Sequence, residues 1–298
     1  TLLPGWAPAT LPEWSILVDG DAADLAADSG SIDAVIGAPH DPRFLTLARR
    51  RQLPAVAIDH RLGAASSPGL GVRADVRFDS AAAIRLAVTE LVACGAVTLA
   101  FMPPADDDPL AELFVRQARK ARRTPLIGRA VDAARGDSAA VRRWLEDLPR
   151  PVGFLAADDR RAALVLDTVR RLRWTAPGDA FVVGIGNDDL VCEAAAPSLT
   201  SVDLGYRPLG MVAAAVMHAA LKGRGQAPRH VAVPPVGLAR RRSTAGLFST
   251  DPQVAEAIHQ LRNGLADDVT PAALARSVGL SRAWLDERFR RAFGRTVT

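Results

Sequence analysis

The stretch Val152-Gly153-Phe154-Leu155-Ala156-Ala157-Asp158-Asp159-Arg160-Arg161 decides the fold. Its first six residues are uncharged and mostly apolar, the length of one buried strand. Two carboxylates then stop the run, and a helical period of apolar residues fills 160–173. The same rhythm repeats on both sides. Short apolar runs at 15–19, 33–37, 54–59, 97–102 and 181–186 alternate with helical patterns at 42–52, 80–94, 109–122 and 138–148. Near-continuous apolar strands separated by amphipathic helices predict an α/β fold, with parallel sheets covered by helices on both faces. After Gly205 the pattern changes to a helix over 209–221, a strand over 231–236 and a basic run at 240–242.

Bulk properties narrow the function classes. The 298 residues suit one large domain and a small one, or three compact lobes, and 49% hydrophobic residues can bury a sizeable core. No uncharged apolar run is long enough to span a membrane. The start, Thr1-Leu2-Leu3-Pro4-Gly5, has no basic region followed by an apolar one, so no secretion signal is expected and a cytoplasmic location is. Cys94 and Cys192 form no C-x-x-C motif and are expected as two buried, reduced thiols. Net charge is +4 while the sequence pI is about 9.8, because Lys120 and Lys222 are the only lysines among 37 basic residues. That balance permits nucleic-acid binding without arguing for it, so the placement of the charges has to decide.

A boundary is expected near 243–250, a run of small residues with few apolar anchors. It divides a region over 1–244 from one over 245–298. In the second region the strands stop. Asp251-Pro252 reads as a helix cap followed by a first-turn proline. Val254, Ile258, Leu261 and Leu265 then recur at helical spacing. Thr270-Pro271 repeats the start signal, Gly279 ends that helix, and Ser281 caps a third that carries Trp284, Leu285, Phe289 and Phe293. Two short helices meeting at a steep angle need a residue free to adopt positive φ, and Gly279 provides it. Ala275 is small where the helices would cross. From Ser281 onward five arginines face two acids, Asp286 and Glu287. This is the pattern of a helix-turn-helix whose second helix enters the major groove by its N-terminal end. Ser281, Arg282, Trp284, Arg288, Arg290 and Arg291 are the candidate DNA contacts. Arg282 is placed at base edges, the later arginines at phosphates, and Trp284 is expected to pack inward. An ordinary helical hairpin with a solvated basic face is the alternative.

These residues resemble a known family. Leu274-Ala275-x-x-Val278-Gly279-x-Ser281-Arg282-x-x-Leu285-x-x-Arg288-Phe289 is similar to the first helix-turn-helix of AraC-type regulators. Pro234-Pro235-Val236, Arg241-Arg242-Ser243-Thr244, Phe181-Val182-Val183-Gly184-Ile185-Gly186-Asn187-Asp188-Asp189-Leu190 and Leu199-Thr200-Ser201-Val202 resemble the xylose-operon regulator branch of that group. The resemblance implies a bilobed sensor, similar to LacI and periplasmic-binding proteins, fused to an AraC-type DNA-binding segment. It implies control by a monosaccharide effector, operator DNA as partner, and a homodimer. The family pattern has a further βα unit before the position of Trp14 and a second helix-turn-helix beyond Thr298, so a fragment is expected. It also commonly has an acid at Gly186 and an amide near Leu204.

In such a sensor the ligand lies at the carboxyl ends of parallel strands. Sugars need carboxylates or amides for vicinal hydroxyls and apolar or aromatic faces for ring C–H groups. The candidate effector contacts are therefore Asp79, where the family places a carboxylate on a hydroxyl, Asp158 and Asp159 after one strand, Asn187 and Asp188 after another, and Tyr206. Asp79, Asp159 and Asn187 could instead cap the helices that follow, and Tyr206 could simply pack. Enzymatic readings lack support: Gly184-x-Gly186-x-x-Asp189 misses the third glycine of a dinucleotide site, and no nucleophile elbow or P-loop occurs. The five histidines have no metal-ligand spacing. Asp106-Asp107-Asp108 reads as a solvated turn. No cofactor or metal is expected, and a secreted sugar-binding protein is the alternative function.

Overall fold

The computed structural model describes residues 32–59, 74–130, 138–222, 230–245, 251–263, 270–293 and 296–297. The strand expected at 15–19 lies outside the described residues. The chain divides into two compact units: residues up to Ala83 with Leu204–Val236, and Ile84–Asp203 with Gly237 onward.

Among the described residues the first unit holds a four-stranded, all-parallel sheet in the order β1-β2-β3-β9. Its strands are β1 (Val35–Gly37), β2 (Ala55–Asp59), β3 (Ala74–Phe78) and β9 (His230–Val233). Helices α1 (Pro42–Arg50) and α7 (Tyr206–Leu221) belong to it, and α2 (Ser80–Ala93) starts in it. Asp41 caps α1 by accepting from the Arg43 amide at 2.9 Å, with Pro42 in the first turn, where its missing N–H leaves no helix bond unmade. Phe44 and Ala48, four residues apart on α1, bury against Ala55 and Ala57 of β2.

The second unit holds a six-stranded sheet in the order β10-β8-β7-β6-β4-β5. The strands are β4 (Thr98–Met102), β5 (Thr124–Ile127), β6 (Val152–Ala156), β7 (Ala180–Ile185), β8 (Thr200–Asp203) and β10 (Gly237–Ala239). All pairings are parallel except β10 with β8. The helices are α3 (Pro109–Lys120), α4 (Ser138–Glu146), α5 (Asp159–Arg171) and the short α6 (Asp189–Ala194). Phe154, Val165, Leu166, Val182 and Leu199 form its core. The strands β4, β6 and β7 are buried along their whole length, which is why they read as unbroken apolar runs.

The chain passes between the units at 83/84, 203/204 and 236/237. The sequence pattern predicts crossings near 94–97 and 199–204 and a return near 231–236, and the second and third fall there. The first was expected at 94–97 and instead falls inside α2, whose end belongs to the second unit: Glu90 pairs with Arg240, and the Cys94 thiol donates to the Thr244 carbonyl at 3.6 Å. The three C-terminal helices, α8 (Pro252–Asn263), α9 (Pro271–Ser277) and α10 (Arg282–Phe293), share a hydrophobic cluster that includes Val254, Ile258, Leu274, Ala275, Leu285 and Phe289. Among the described residues no helix is long and apolar enough to cross a membrane.

Candidate functional site

The carboxyl ends of the parallel strands gather the polar residues that the sequence singles out. In the first unit Asp79 follows β3. Its Oδ1 accepts from the Ala82 amide at 2.9 Å, so it caps α2, and its own amide donates to the Val233 carbonyl at 2.8 Å. Tyr206 opens α7 and is 54% exposed; its ring meets Phe78, the last residue of β3, edge-on at 5.3 Å. The phenol therefore has a packed root and an accessible face, the form suited to sugar C–H groups. Asp59, at the end of β2 and 3% exposed, is a further carboxylate on this edge that periodicity alone could not single out.

In the second unit Asp158, Asp159, Asn187 and Asp188 come together where β6 and β7 end. Asp158 caps α5 through the Arg161 amide at 2.8 Å, and its other oxygen pairs with the Arg161 guanidinium, which also donates to the Pro104 carbonyl at 3.3 Å. Asp188 caps α6, its Oδ1 accepting from the Leu190 and Val191 amides at 3.1 and 3.3 Å. These two were expected as effector contacts, and each has one carboxylate oxygen committed to a helix start.

Asp159 corrects the expectation most sharply. It is neither a helix cap nor an open ligand group. It is 3% exposed, its Oδ1 accepts from Ser201 Oγ at 2.5 Å, and its Oδ2 accepts from the Asp188 amide at 2.8 Å. Burial raises its carboxyl above the ordinary aspartate value, against the opposing pull of these two hydrogen bonds. Gly184 leaves the room it occupies, since a Cβ there would overlap Asp159 Oδ1. The Cys192 thiol is pushed up to about 12 by burial and by the neighbouring Asp159 charge, and the Cys94 thiol to about 12, also chiefly by burial. Both cysteines are free and buried, as expected.

Asn187 takes φ +58, a left-handed conformation that asparagine tolerates better than most residues. Its amide N–H donates to Ser201 Oγ at 3.1 Å, so Asn187, Ser201 and Asp159 form a chain of hydrogen bonds. Its Oδ1 accepts from Arg241 Nη1 at 2.9 Å. Arg241 had no assigned role in the sequence reading beyond its place in a basic run and in the motif Arg241-Arg242-Ser243-Thr244, yet its side chain is only 13% exposed.

The second candidate surface lies on α10. Gly279 has φ +71, as the expected turn between α9 and α10 requires. Ser281 caps α10 by accepting from the Trp284 amide at 3.3 Å. Leu285 and Phe289 face the helical core, which leaves Arg282, Trp284, Arg290 and Arg291 outside. Trp284 was expected to pack inward and is instead 60% exposed. Arg282 lies 3.8 Å from Asp286, and Arg290 and Arg291 both reach Glu287. Arg288, expected at phosphates, is held by Asp251, the cap of α8. Phe293 side-chain packing falls outside the described residues.

The family model for the periplasmic binding protein-like domain matches residues 88–244. The xylose operon regulatory protein of Escherichia coli (strain K12) is 34% identical over 154 residues, covering 52% of this chain and 39% of that protein. The protein of the same name from Haemophilus influenzae is 30% identical over 154 residues, covering 52% of this chain and 40% of its own length. The chain thus spans about two fifths of the length of these relatives. The solved structure of the xylose-binding transcription activator xylR is similar at TM-score 0.64 and 26% identity, over 89% of this chain and 72% of that one. With the parallel sheets and their polar carboxyl ends already in place, and more than half of the chain matched, the protein belongs to the periplasmic binding protein-like domain family.

Proposed function

We propose that the chain is part of a sugar-responsive, DNA-binding transcription regulator. Residues 1–244 take the effector and residues 245–298 contact the operator. The observation that carries this reading is the coexistence, in one chain, of a binding-protein-like region and three helices with a core of their own, the last exposing Arg282, Trp284, Arg290 and Arg291. The regulators to which the chain is similar support it. Asp79, Asp158, Asn187, Asp188 and Tyr206 are the effector contacts in this reading, while Asp159 holds the loop that presents two of them. Ser281 and Arg282 face base edges and Arg290 and Arg291 face phosphates. In this reading the regulator acts as a homodimer.

The test combines a thermal-shift screen of D-xylose, other pentoses, hexoses and sugar alcohols with gel-shift titrations on the DNA upstream of the neighbouring genes. A ligand that binds only the folded chain raises its melting temperature. The expected result is a rise with one monosaccharide and a DNA affinity that this sugar changes. A chain extended to the relatives' length that binds neither sugar nor DNA would overturn the reading.

A further inference from the structure

The sequence motif Arg241-Arg242-Ser243-Thr244 supplies an observation that the effector and DNA readings leave unused. After β10 the chain runs down the edge of the second unit's sheet and is pinned to it residue by residue. The Arg241 amide donates to Thr200 Oγ1 at 2.8 Å. Ser243 Oγ donates to the Val182 carbonyl at 2.6 Å and accepts from the Thr200 amide at 2.8 Å. Thr244 Oγ1 lies 2.8 Å from Thr200 Oγ1 and donates to Glu90, which also holds Arg240.

The Arg241 side chain leaves this track and grips the connection between β7 and β8. Its Nε donates to Glu193 Oε1 at 2.5 Å, its Nη2 to Asp189 Oδ1 at 3.0 Å, and its Nη1 to Asn187 Oδ1 at 2.9 Å and the Leu199 carbonyl at 3.2 Å. All four acceptors lie in the segment 187–199 that carries Asn187 and Asp188. A guanidinium has donors only, so Asn187 must present its oxygen to Arg241, and its NH2 group remains as a donor. Ten residues further along the chain Asp251 caps α8 and binds Arg288 of α10.

We propose that Arg241 is a positioning residue that couples the effector loop to the segment leading into the DNA-binding helices. This inference rests on the effector reading above. Arg241 fixes the orientation of the Asn187 amide for a ligand hydroxyl. A ligand that engages Asn187 pulls on the same guanidinium whose backbone is part of 240–244. The forked group suits this task because it holds four acceptors at once. A lysine ammonium, a single point donor, cannot span Asn187, Asp189 and Glu193 together.

Hydrogen exchange on the whole chain, with and without the sugar that stabilises it, tests this in wild type, Arg241→Met and Arg241→Lys. D-xylose is the first probe. In wild type, saturating sugar is expected to slow exchange at 187–193 and also at 240–244. Both variants are expected to bind the sugar up to about tenfold more weakly, because the neutral Asn187 amide is no longer held in orientation for one hydrogen bond to the ligand. At saturation they keep protection at 187–193 and lose it at 240–244. Arg241→Lys retains the charge and serves if the Met variant does not fold. Wild-type protection at 240–244 that survives intact in a folded variant overturns the proposal. So does a wild type that binds sugar with no change at 240–244, and in that case the effector reading stands. A wild type that binds no sugar removes the effector reading, and the coupling with it.

Discussion

Ser201 Oγ donates to Asp159 Oδ1 at 2.5 Å, joining the first residue of α5 to the middle of β8. A carboxylate at the mouth of a binding-protein-like sheet is therefore spent inside the unit, holding Ser201 and the Asp188 amide in place. Asp159→Asn puts an amide NH2 against one of two donors and is expected to cost about 1–3 kcal/mol. The folded carboxyl is raised by burial, so its contribution is fully present below the unfolded value of about 3.9 and is lost as pH rises through the folded value. The gap in stability between wild type and Asp159→Asn should therefore be widest at the acid end and narrow as pH rises. Urea melts of both proteins from pH 4 upward measure it, and a gap that widens with pH would mean that the two hydrogen bonds, and not burial, set the direction of the shift.

Gly184 makes room for that brace. A Cβ at 184 would overlap Asp159 Oδ1 and lie 3.2 Å from the Asp159 Cα, a backbone atom that cannot swing aside. Gly184→Ala is expected to destabilise the chain by about 1–3 kcal/mol, as overpacking does. Combined with Asp159→Ala, which removes the overlapped carboxylate, it should cost less than the sum of the two single changes. Additive costs in this double-mutant cycle would show that the two positions do not compete for space.

The Arg288 guanidinium is engaged inside the helical segment, where it binds Asp251. Its partner Asp251 caps α8 through the Gln253 and Val254 amides. Burial alone would raise the Asp251 carboxyl, but the Arg288 hydrogen bond and the two amides outweigh it and hold it below the ordinary aspartate value. The contribution of a lowered carboxyl is present above the unfolded value of about 3.9 and is lost as pH falls through the folded value. Asp251→Ala should cost the three helices about 1 kcal/mol at neutral pH, typical of a lost cap, and less under acid. Arg288→Ala should lower the melting temperature while leaving the salt dependence of DNA binding unchanged.

The exposed arginines of α10 behave differently. Arg282→Ala is expected to relax preference at one base pair by about 1–3 kcal/mol. Arg290→Ala should weaken binding to all sequences and reduce the slope of log affinity against log salt by about 1. Gel shifts at several salt concentrations separate the two. An unchanged slope for Arg290→Ala would place that residue away from phosphate. Trp284→Ala, with the ring already 60% exposed, should leave folding intact and change DNA affinity alone.

The legible part of this protein was what repeats along the chain. The strands β4, β6 and β7 are buried from end to end, so apolar run length announced them, and two helix starts were marked by Asp251-Pro252 and Thr270-Pro271, while Asp108, read with its neighbours as a solvated turn, in fact caps α3. The glycine turn before α10 was equally plain, because φ +71 at Gly279 is a conformation that few other residues accept. Local chemistry decides such features, and neighbours in sequence reveal it.

Strand β3 escaped notice for the opposite reason. Ala74-Asp75-Val76-Arg77-Phe78 carries two charges, which argue against a central strand until Arg77 and His230 are seen against the buried Asp75. Run length could not separate Asp158, the cap of α5, from Asp159, the buried brace, although both follow the same strand. One turns toward its own helix and the other toward β8, a choice made by Ser201 and Gly184, tens of residues away. Arg241 stood in a run of three arginines, and only the fold brought the loop after β7 around it. Backbone pattern and caps follow from the sequence because they are local. The state of each carboxylate and arginine was decided by tertiary structure, since burial makes a charged group seek partners wherever the chain returns.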